Sequence, residues 1–197
     1  MPTSDADLAR QAIAGSQAAY RTLVARYASA AVNVAARLVH DRTLAEDLAQ
    51  EAFARAFARL RSYDPERRFS AWFFQVLHNV AVDHLRRKRL DTVSLDALQE
   101  AGYAGPSTAP SSSQPEADLD RAALGSALAR ALARIRPEYR EAIVLRYQQD
   151  LTIEEIAGVL ERPEGTVKTY LHRGRKELAA ILSAAGWSPE TRIRPRP

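Results

Sequence analysis

Apolar residues in the first half of the chain recur at steps of three and four positions, which is the spacing of one face of an α-helix. One such face contains Tyr20, Leu23, Val24, Tyr27, Ala31, Val34 and Leu38. A second stripe contains Leu44, Leu48, Ala52, Ala56 and Leu60. This second helix should end at Tyr63-Asp64-Pro65, because proline disfavours a helical residue before it. The pattern predicts three or four helices in this half.

Polar residues predict where two of these helices begin. Thr43 and Glu46 have the spacing of a capping box, in which the two side chains satisfy free backbone N–H groups. Ser70 is a good N-cap for a further helix that runs to about Arg89. Phe69 before it and Phe74 within it have the spacing of a hydrophobic staple.

The second half of the chain is also predicted to be helical. Pro137 suits a first helical position, and Thr152 with Glu155 forms another capping box. Four helices are expected, over about 122–135, 137–149, 152–160 and 163–182. No strand-like alternation of apolar and polar residues appears, so the fold class is all-α.

A segment between these halves has a different composition. Residues 91–118 contain three prolines, a serine run and five acidic residues but no basic residue. Such a segment buries too little apolar surface to fold alone. We therefore expect a flexible acidic linker between helical domains at residues 1–90 and 119–185, and a mobile tail at 186–197.

The last two predicted helices have the layout of a helix-turn-helix, which places its second helix in the DNA major groove. Ile156, Ala157, Leu160, Val167 and Leu171 would face inward, and Gly174 and Leu178 continue that face. The open face then carries Lys168, Thr169, His172, Arg173 and Lys176. The alternative is an ordinary helical hairpin with a solvated basic face.

Two other surfaces carry charge. The helix of residues 72–89 has Asn79, Asp83, Arg86 and Arg87 on one face, and its basic end would attract phosphates. Aromatic residues there could stack on unpaired bases, although at least one of Trp72, Phe73 and Phe74 should be core. Asp47, Gln50 and Glu51 form an acidic surface, for which a simple solvated helix face is the alternative.

Composition excludes several classes of function. The chain of 197 residues has a net charge of +4, mild support for an anionic partner, and no cysteine, so thiol catalysis and cysteine-based zinc sites are excluded. The four histidines do not cluster at ligand spacing, and no phosphate loop or catalytic carboxylate pair appears. We expect no cofactor, no metal and no enzymatic activity. Without a signal core or a long apolar run, we expect a cytoplasmic protein with no membrane insertion.

Taken together, four motifs resemble those of the extracytoplasmic-function sigma factors, the two-domain branch of the primary sigma superfamily. They occur in the family's order at residues 46–53, 69–73, 79–87 and 165–175, around a linker of the expected kind. The resemblance extends over about residues 16–182. It implies a subunit that directs RNA polymerase to promoters, with core polymerase, promoter DNA and an anti-sigma factor as partners.

The resemblance also implies roles for individual residues. The surface of Asp47, Leu48, Gln50 and Glu51 would bind the clamp helices of the largest polymerase subunit, and the second-largest subunit's flap is a further expected contact. The −10 element would be opened and read by Arg61, Trp72, Asn79, Asp83, Arg86 and Arg87. The −35 duplex would be read by Glu164, Thr166, Lys168, Thr169, His172, Arg173 and Lys176. The acidic linker would thread the nucleic-acid channel of polymerase.

One turn departs from the family pattern. The family usually has glycine followed by an apolar residue where this chain has Glu161-Arg162. A non-glycine residue in a left-handed conformation costs about 1–2 kcal/mol. Two rival interpretations are a stand-alone helix-turn-helix regulator with a helical sensor domain, and a helical enzyme acting on nucleic acid. The first is disfavoured by the acidic surface and the basic aromatic helix, and the second by the lack of convergent catalytic residues.

Overall fold

The computed structural model of the protein describes residues 3–92 and 115–187, and over these ranges it contains helices and no strand. The helices of the N-terminal half are α1 (Asp5–Ile13), α2 (Gln17–Val39), α3 (Arg42–Ala58), a short 3-10 helix (Leu60–Ser62) and α4 (Phe69–Thr92). Those of the C-terminal half are α5 (Pro115–Arg134), α6 (Pro137–Tyr147), α7 (Ile153–Leu160) and α8 (Glu164–Ala184). The all-α prediction is confirmed.

The core of the N-terminal half is formed by the predicted faces. The seven residues of the α2 face are buried or half-buried, and so are the five of the second stripe. Aromatic rings fill the space between α2, α3 and α4, with Phe53 and Phe73 separated by 4.6 Å between ring centres. Aromatic rings each bury a large apolar area, so they stabilise the packing of α4 against α2 and α3.

Two of the predicted helix starts are wrong. The N-cap of α3 is Asp41, whose carboxylate accepts a 3.1 Å hydrogen bond from the amide of Leu44, and Thr43 lies inside the helix. Aspartate ranks above threonine as an N-cap, which explains the earlier start. Helix α4 begins at Phe69, so Ser70 is a buried helical residue and not the cap.

The predicted starts of α6 and α7 are confirmed, whereas α5 begins seven residues before the predicted position 122. Pro137 is the first residue of α6, and Thr152 and Glu155 form the reciprocal capping box of α7. Helix α5 starts at Pro115, so it includes the end of the segment predicted as linker. Asp91 and Thr92 of that segment are the last residues of α4, and residues 93–114 lie outside the described residues, as do residues 188–197 of the predicted tail.

The two halves pack against each other in this structure. Helix α4 lies against α7, and α2 lies against α6. At the second contact Arg140 is only 2% exposed, which is exceptional for an arginine. Within residues 3–92 and 115–187, no helix has both the length and the apolar character needed to cross a membrane.

Candidate nucleic-acid interface

Helix α7, the turn after it and α8 form the predicted helix-turn-helix. Glu161 ends α7 in the left-handed region, with φ of 51°, and its N–H is hydrogen-bonded back to carbonyls of the helix. The strained position expected from the sequence is therefore present, and it costs about 1–2 kcal/mol relative to glycine. Residues 161–163 then reverse the chain so that α8 begins at Glu164.

One face of α8 packs against the domain and fixes its rotation. Val167, Leu171 and Gly174 are buried, as the apolar spacing predicted. A Cβ atom at Gly174 would lie 2.8 Å from the Cδ1 atom of Ile143 and 3.0 Å from the Cβ atom of Tyr139. Helix α8 therefore approaches α6 more closely than a larger residue would allow.

The opposite face of α8 is open to solvent. Exposed side chains there are Glu164, Lys168, Thr169, His172, Arg173 and Lys176, while Thr166 is half-buried. Lys168 forms an exposed ion pair with Glu164 at 3.4 Å. A hydrogen bond to the Tyr139 hydroxyl is the main cause that raises the pKa of Arg173. The predicted −35 set thus lies together on one helix.

The predicted −10 residues lie on and beside α4. Asn79, Arg86 and Arg87 are exposed and Asp83 is half-buried on α4, while Arg61 is exposed in the 3-10 helix. Phe73 and Phe74 are core residues. Trp72 is half-buried at the edge of the core, with its ring 5.5 Å from that of Tyr63. Of the three neighbouring aromatic residues, Trp72 is the one that keeps a solvent-facing edge.

The acidic surface of α3 is present, with one exception. Asp47, Gln50 and Glu51 are exposed, but Leu48 is 2% exposed and belongs to the core. Leu48 therefore supports the surface from below and is not available for a direct contact.

Arg55 connects this acidic surface to α4. Its guanidinium lies 2.6 Å from a carboxylate oxygen of Glu51 and 3.4 Å from one of Asp83. Sequence reasoning missed this link, although the four-residue spacing of Glu51 and Arg55 is a signal for the first pair. The structure thus joins residues of two predicted surfaces through a single side chain.

Sequence reasoning also missed the polar residues that join the two halves. Arg68, just before α4, donates a 2.8 Å hydrogen bond to the carbonyl oxygen of Asp150. His78 of α4 donates a 2.6 Å hydrogen bond through Nδ1 to the carboxylate of Glu141. A cleft with a volume of about 290 Å³ lies between α4 and the helix-turn-helix, next to this pair. The available signal was the charged pair Arg140-Glu141 inside an otherwise apolar run of α6.

Burial shifts the pKa of three side chains around the core. Burial and a hydrogen bond to Asp5 raise the pKa of Tyr27. Burial, with a smaller effect of nearby carboxylates, raises the pKa of Tyr63. Burial and the guanidinium of Arg140 lower the pKa of His40. The two tyrosines are therefore neutral, and the folded chain favours the neutral ring of His40.

In the described part of the chain, no three histidine, aspartate or glutamate side chains come together. Three charged or polar surfaces are exposed on this part of the molecule: an acidic patch on α3, a polar and basic face on α4, and a polar and basic face on α8. Basic faces of this kind favour contacts with phosphates.

Comparison of the chain with known protein families and proteins identifies the family to which it belongs. The model for sigma-70 region 2 matches residues 23–90, and that for sigma-70 region 4 matches residues 126–178. The chain is 34% identical over 177 residues to the ECF RNA polymerase sigma factor SigW of Bacillus subtilis, which covers 88% of this chain and 94% of SigW. It is 28% identical to the ECF RNA polymerase sigma-E factor of Escherichia coli, over 83% of this chain and 86% of that one.

A solved structure has the same fold. CnrH, determined in complex with the cytosolic domain of CnrY, aligns with a TM-score of 0.64 and 28% identity over 92% of this chain and 99% of CnrH. The order of the matched regions is also that of the four motifs. The chain belongs to the extracytoplasmic-function (ECF) family of RNA polymerase sigma factors.

Proposed function

We propose that this alternative sigma factor binds core RNA polymerase through the acidic surface of α3, captures the −10 element with α4 and reads the −35 element with α8. The observation that carries the proposal is the outward face of α8. Val167, Leu171 and Gly174 are buried on one side, so the polar and basic residues are held on the other. Such a rigid helix presents its side chains in fixed register to a groove.

Residues along α8 should make two kinds of contact with the −35 duplex, one with base edges and one with phosphates. A recognition helix points its N-terminal part into the major groove, so Glu164, Thr166, Lys168 and Thr169 would approach base edges. His172, Arg173 and Lys176 lie further along and would contact the phosphate backbone. Base contacts specify the sequence, whereas phosphate contacts fix the position of the protein on the duplex.

Helix α4 would hold the single strand of the −10 element. Turning a base out of the stack costs a few kcal/mol, which contacts with the base and the backbone must offset. Asn79 and Asp83 would lie near the captured base, and Arg86 and Arg87 would lie near phosphates. The half-buried ring of Trp72 would offer an apolar edge to a base, and Arg61, in the 3-10 helix before α4, would lie beside it.

The polymerase contact would use the exposed side chains of α3. Asp47, Gln50 and Glu51 would bind the clamp helices of the largest subunit, and Leu48 would hold the helix in place from the core. Residues 119–185 would bind the flap of the second-largest subunit, and residues 91–118 would connect the two domains through the nucleic-acid channel. The chain contributes binding and positioning in the cytoplasm, and polymerase performs the chemistry.

An anti-sigma factor is a further proposed partner. CnrH, similar in sequence and fold, was determined with the cytosolic domain of CnrY bound to it. We propose that the present chain forms a complex of this kind, in which a domain of the partner would prevent the chain from binding polymerase.

The decisive experiment is run-off transcription from a randomised promoter library with core polymerase. With the wild-type chain we expect a selected class of promoters that share both a −35 and a −10 sequence. Asn79→Ala should relax the selected −10 bases while the −35 preference stays unchanged. Specific binding of duplex DNA by the chain alone, with no promoter-specific transcript when core polymerase is added, would instead support a stand-alone regulator.

A further inference from the structure

Tyr63 lies between the 3-10 helix and α4, next to two proposed −10 residues. It is 5% exposed and is the one buried residue in the stretch 61–68, all of which the structure describes. Its ring centre lies 5.4 Å from that of Phe69 and 5.5 Å from that of Trp72. These neighbouring rings restrict its rotation, because packed aromatic side chains prefer particular orientations. The direction of the Tyr63 hydroxyl is therefore fixed by the core.

The hydroxyl of Tyr63 closes the loop that leads into α4. It donates a 2.7 Å hydrogen bond to the main-chain oxygen of Arg67, four residues further along. Burial raises the pKa of this phenol, so it keeps its proton and remains a donor. The residues that the bond encloses, 64–67, are all exposed. Tyr63 thus holds an exposed loop from the buried side.

Contacts within the 64–67 loop add to this shape. The carboxylate of Asp64 accepts a 3.0 Å hydrogen bond from the amide of Glu66, as in turns that begin with aspartate. The main-chain oxygen of Asp64 accepts another, also of 3.0 Å, from the amide of Arg67. The next carbonyl, that of Arg68, accepts a 3.3 Å hydrogen bond from the amide of Trp72. The loop therefore has a defined shape before it meets any ligand, and its end is bonded to a proposed −10 residue.

We propose that Tyr63 is a positioning residue for the −10 strand, because its hydroxyl fixes the 64–67 loop between Arg61 and Trp72. This inference rests on the proposed −10 role of those two residues. The backbone amide of Tyr63 also donates a 3.1 Å hydrogen bond to the main-chain oxygen of Leu60, so the same residue caps the 3-10 helix that carries Arg61. Tyr63 is buried and does not touch the strand. It acts through the placement of the loop and of the two residues beside it.

The 64–67 loop is held in place before binding, which avoids an entropic cost when a strand arrives. One neutral hydrogen bond changes such an equilibrium by about three- to tenfold. The stability of the whole chain should change less, because Arg67 is exposed and water can replace the hydroxyl at its carbonyl. Loss of the hydroxyl should therefore loosen the loop and leave the rest of the fold intact.

Two tyrosine variants test this role. Tyr63→Phe removes the hydroxyl and keeps the ring. The matched control is Tyr27→Phe, since the hydroxyl of Tyr27 donates to Asp5 and its ring also packs on Phe69, with 5.4 Å between ring centres. The control removes the same group from the same aromatic cluster, but its hydroxyl bonds to α1 and not to the loop.

Asp64 provides a second test that leaves the core unchanged. Asp64→Ala removes the acceptor of the Glu66 amide, whereas Asp64→Asn keeps a side-chain oxygen there and removes the charge. The first variant should resemble Tyr63→Phe in its −10 preference, and the second should resemble the wild type. Identical −10 preferences of the two Asp64 variants would count against the proposal.

Loop order is measured on the full chain by limited trypsin digestion, with cleavage after Arg67 and Arg68 followed by mass spectrometry. Global stability is measured by urea denaturation, and promoter choice by run-off transcription with core polymerase from a library randomised across both elements. For Tyr63→Phe we expect cleavage at the two arginines to be about three- to tenfold faster, and selection among −10 sequences to weaken by a similar factor. The −35 preference and the unfolding midpoint should stay unchanged. Tyr27→Phe should change neither the cleavage nor the −10 preference.

The outcomes separate the role of Tyr63 from the promoter function. With a wild-type chain that selects −10 sequences, unchanged cleavage in Tyr63→Phe overturns the role of the hydroxyl in the loop. Faster cleavage with an unchanged −10 preference overturns its role in positioning. That role also fails if Tyr27→Phe relaxes the −10 preference equally, because the cause is then lost stability. A wild-type chain that selects no −10 sequence rejects the proposed −10 function of α4 instead, and the positioning role of Tyr63 is rejected with it.

Discussion

The guanidinium of Arg140 donates a 2.6 Å hydrogen bond to the main-chain oxygen of Arg37, and this contact ties α6 to the end of α2. The same guanidinium donates to the carbonyl oxygens of Leu132, Ala133 and Ile135 at the end of α5. The C-terminal ends of helices carry partial negative charge and unpaired carbonyls. One buried cation thus satisfies the ends of two helices from different halves of the chain.

Arg140→Lys should destabilise the fold although the charge is kept. An ammonium group cannot reproduce the planar fork that reaches several carbonyls at once, so buried acceptors lose their partners. We expect a loss of about 2–4 kcal/mol in the free energy of unfolding, measured by urea denaturation. Arg134→Lys, on the exposed end of α5, is the control and should change stability little. Equal stability of the two variants would contradict the structural role of Arg140.

The stability of the wild-type chain should decrease in mildly acidic solution because of His40. Burial and Arg140 lower its pKa from 6.5, so the unfolded state binds the proton more readily. This contribution is fully present above about pH 6.5 and is lost as the pH falls below that value. His40→Asn keeps a residue that tolerates the left-handed cap and removes the titration. The free energy of unfolding of both proteins is measured by urea denaturation as the pH is lowered through 6.5. The difference between the two proteins isolates the contribution of His40, because the pair of His78 and Glu141 is present in both.

Two glycine-to-alanine substitutions should change the free energy of unfolding in opposite directions. Gly174→Ala places a Cβ 3.0 Å from the Cβ of Tyr139, and overpacking of this kind costs about 1–3 kcal/mol, more than the gain in helix propensity. Gly158→Ala, in α7, meets nothing within 4 Å and should stabilise by up to about 1 kcal/mol. Thermal unfolding of both variants gives the comparison. A Gly174→Ala protein as stable as Gly158→Ala would show that α6 and α8 are further apart than described.

Asp47→Lys should weaken binding to core polymerase with little effect on the fold. Asp47 is exposed on α3, so reversal of its charge changes the surface and leaves the core intact. Glu51→Lys should have a second effect, since it also breaks the 2.6 Å ion pair with Arg55. We expect about tenfold weaker binding for Asp47→Lys. Affinity is measured with labelled chain and core enzyme, and Glu154→Lys serves as the charge-matched control. Native affinity of an Asp47→Lys, Glu51→Lys double variant would defeat the assignment.

Lys168→Ala and Arg173→Ala should affect promoter choice differently. Lys168 lies in the first turns of α8, so its loss should relax selection at one or two −35 positions by about 1–3 kcal/mol. Arg173 lies further along, and its loss should lower transcription from all promoters alike. Transcription from a library randomised across the −35 element distinguishes the two effects. The reverse pattern would mean that α8 is rotated on the DNA.

The elements of this fold could be predicted from the sequence because helix spacing and turn chemistry are local. The buried face of α2, the capping box at Thr152 and the inward face of α8 all follow from residues a few positions apart. The predicted starts of α3 and α4 are wrong because a neighbouring residue determines where each helix begins. Asp41 outranks Thr43 as a cap, and the packing of Phe69 against Tyr27 extends α4 past Ser70.

Contacts between the halves could not be predicted in the same way. Arg140 and Arg37, or His78 and Glu141, are far apart in sequence, and no local pattern pairs them. The apolar stripe predicts the burial of Leu48, as the structure has it, whereas the family motif includes Leu48 in the polymerase contact because a shared motif does not say which of its residues face solvent. The strain at Glu161 follows from the sequence, but its 3.5 Å contact with Asn79 of α4 has no local signal.

Asn79 is paired with Glu161, whereas Arg86 and Arg87 are exposed. This difference affects how free copies of the chain behave in a crowded cell. Contacts of exposed arginines with a nucleic-acid backbone are independent of sequence and weaken as the salt concentration rises. A copy that touches RNA or stray single strands in this way holds no base, so it dissociates readily. We expect such copies to remain available, and the supply of unbound factor to be set by competition for polymerase and not by loss to other nucleic acids.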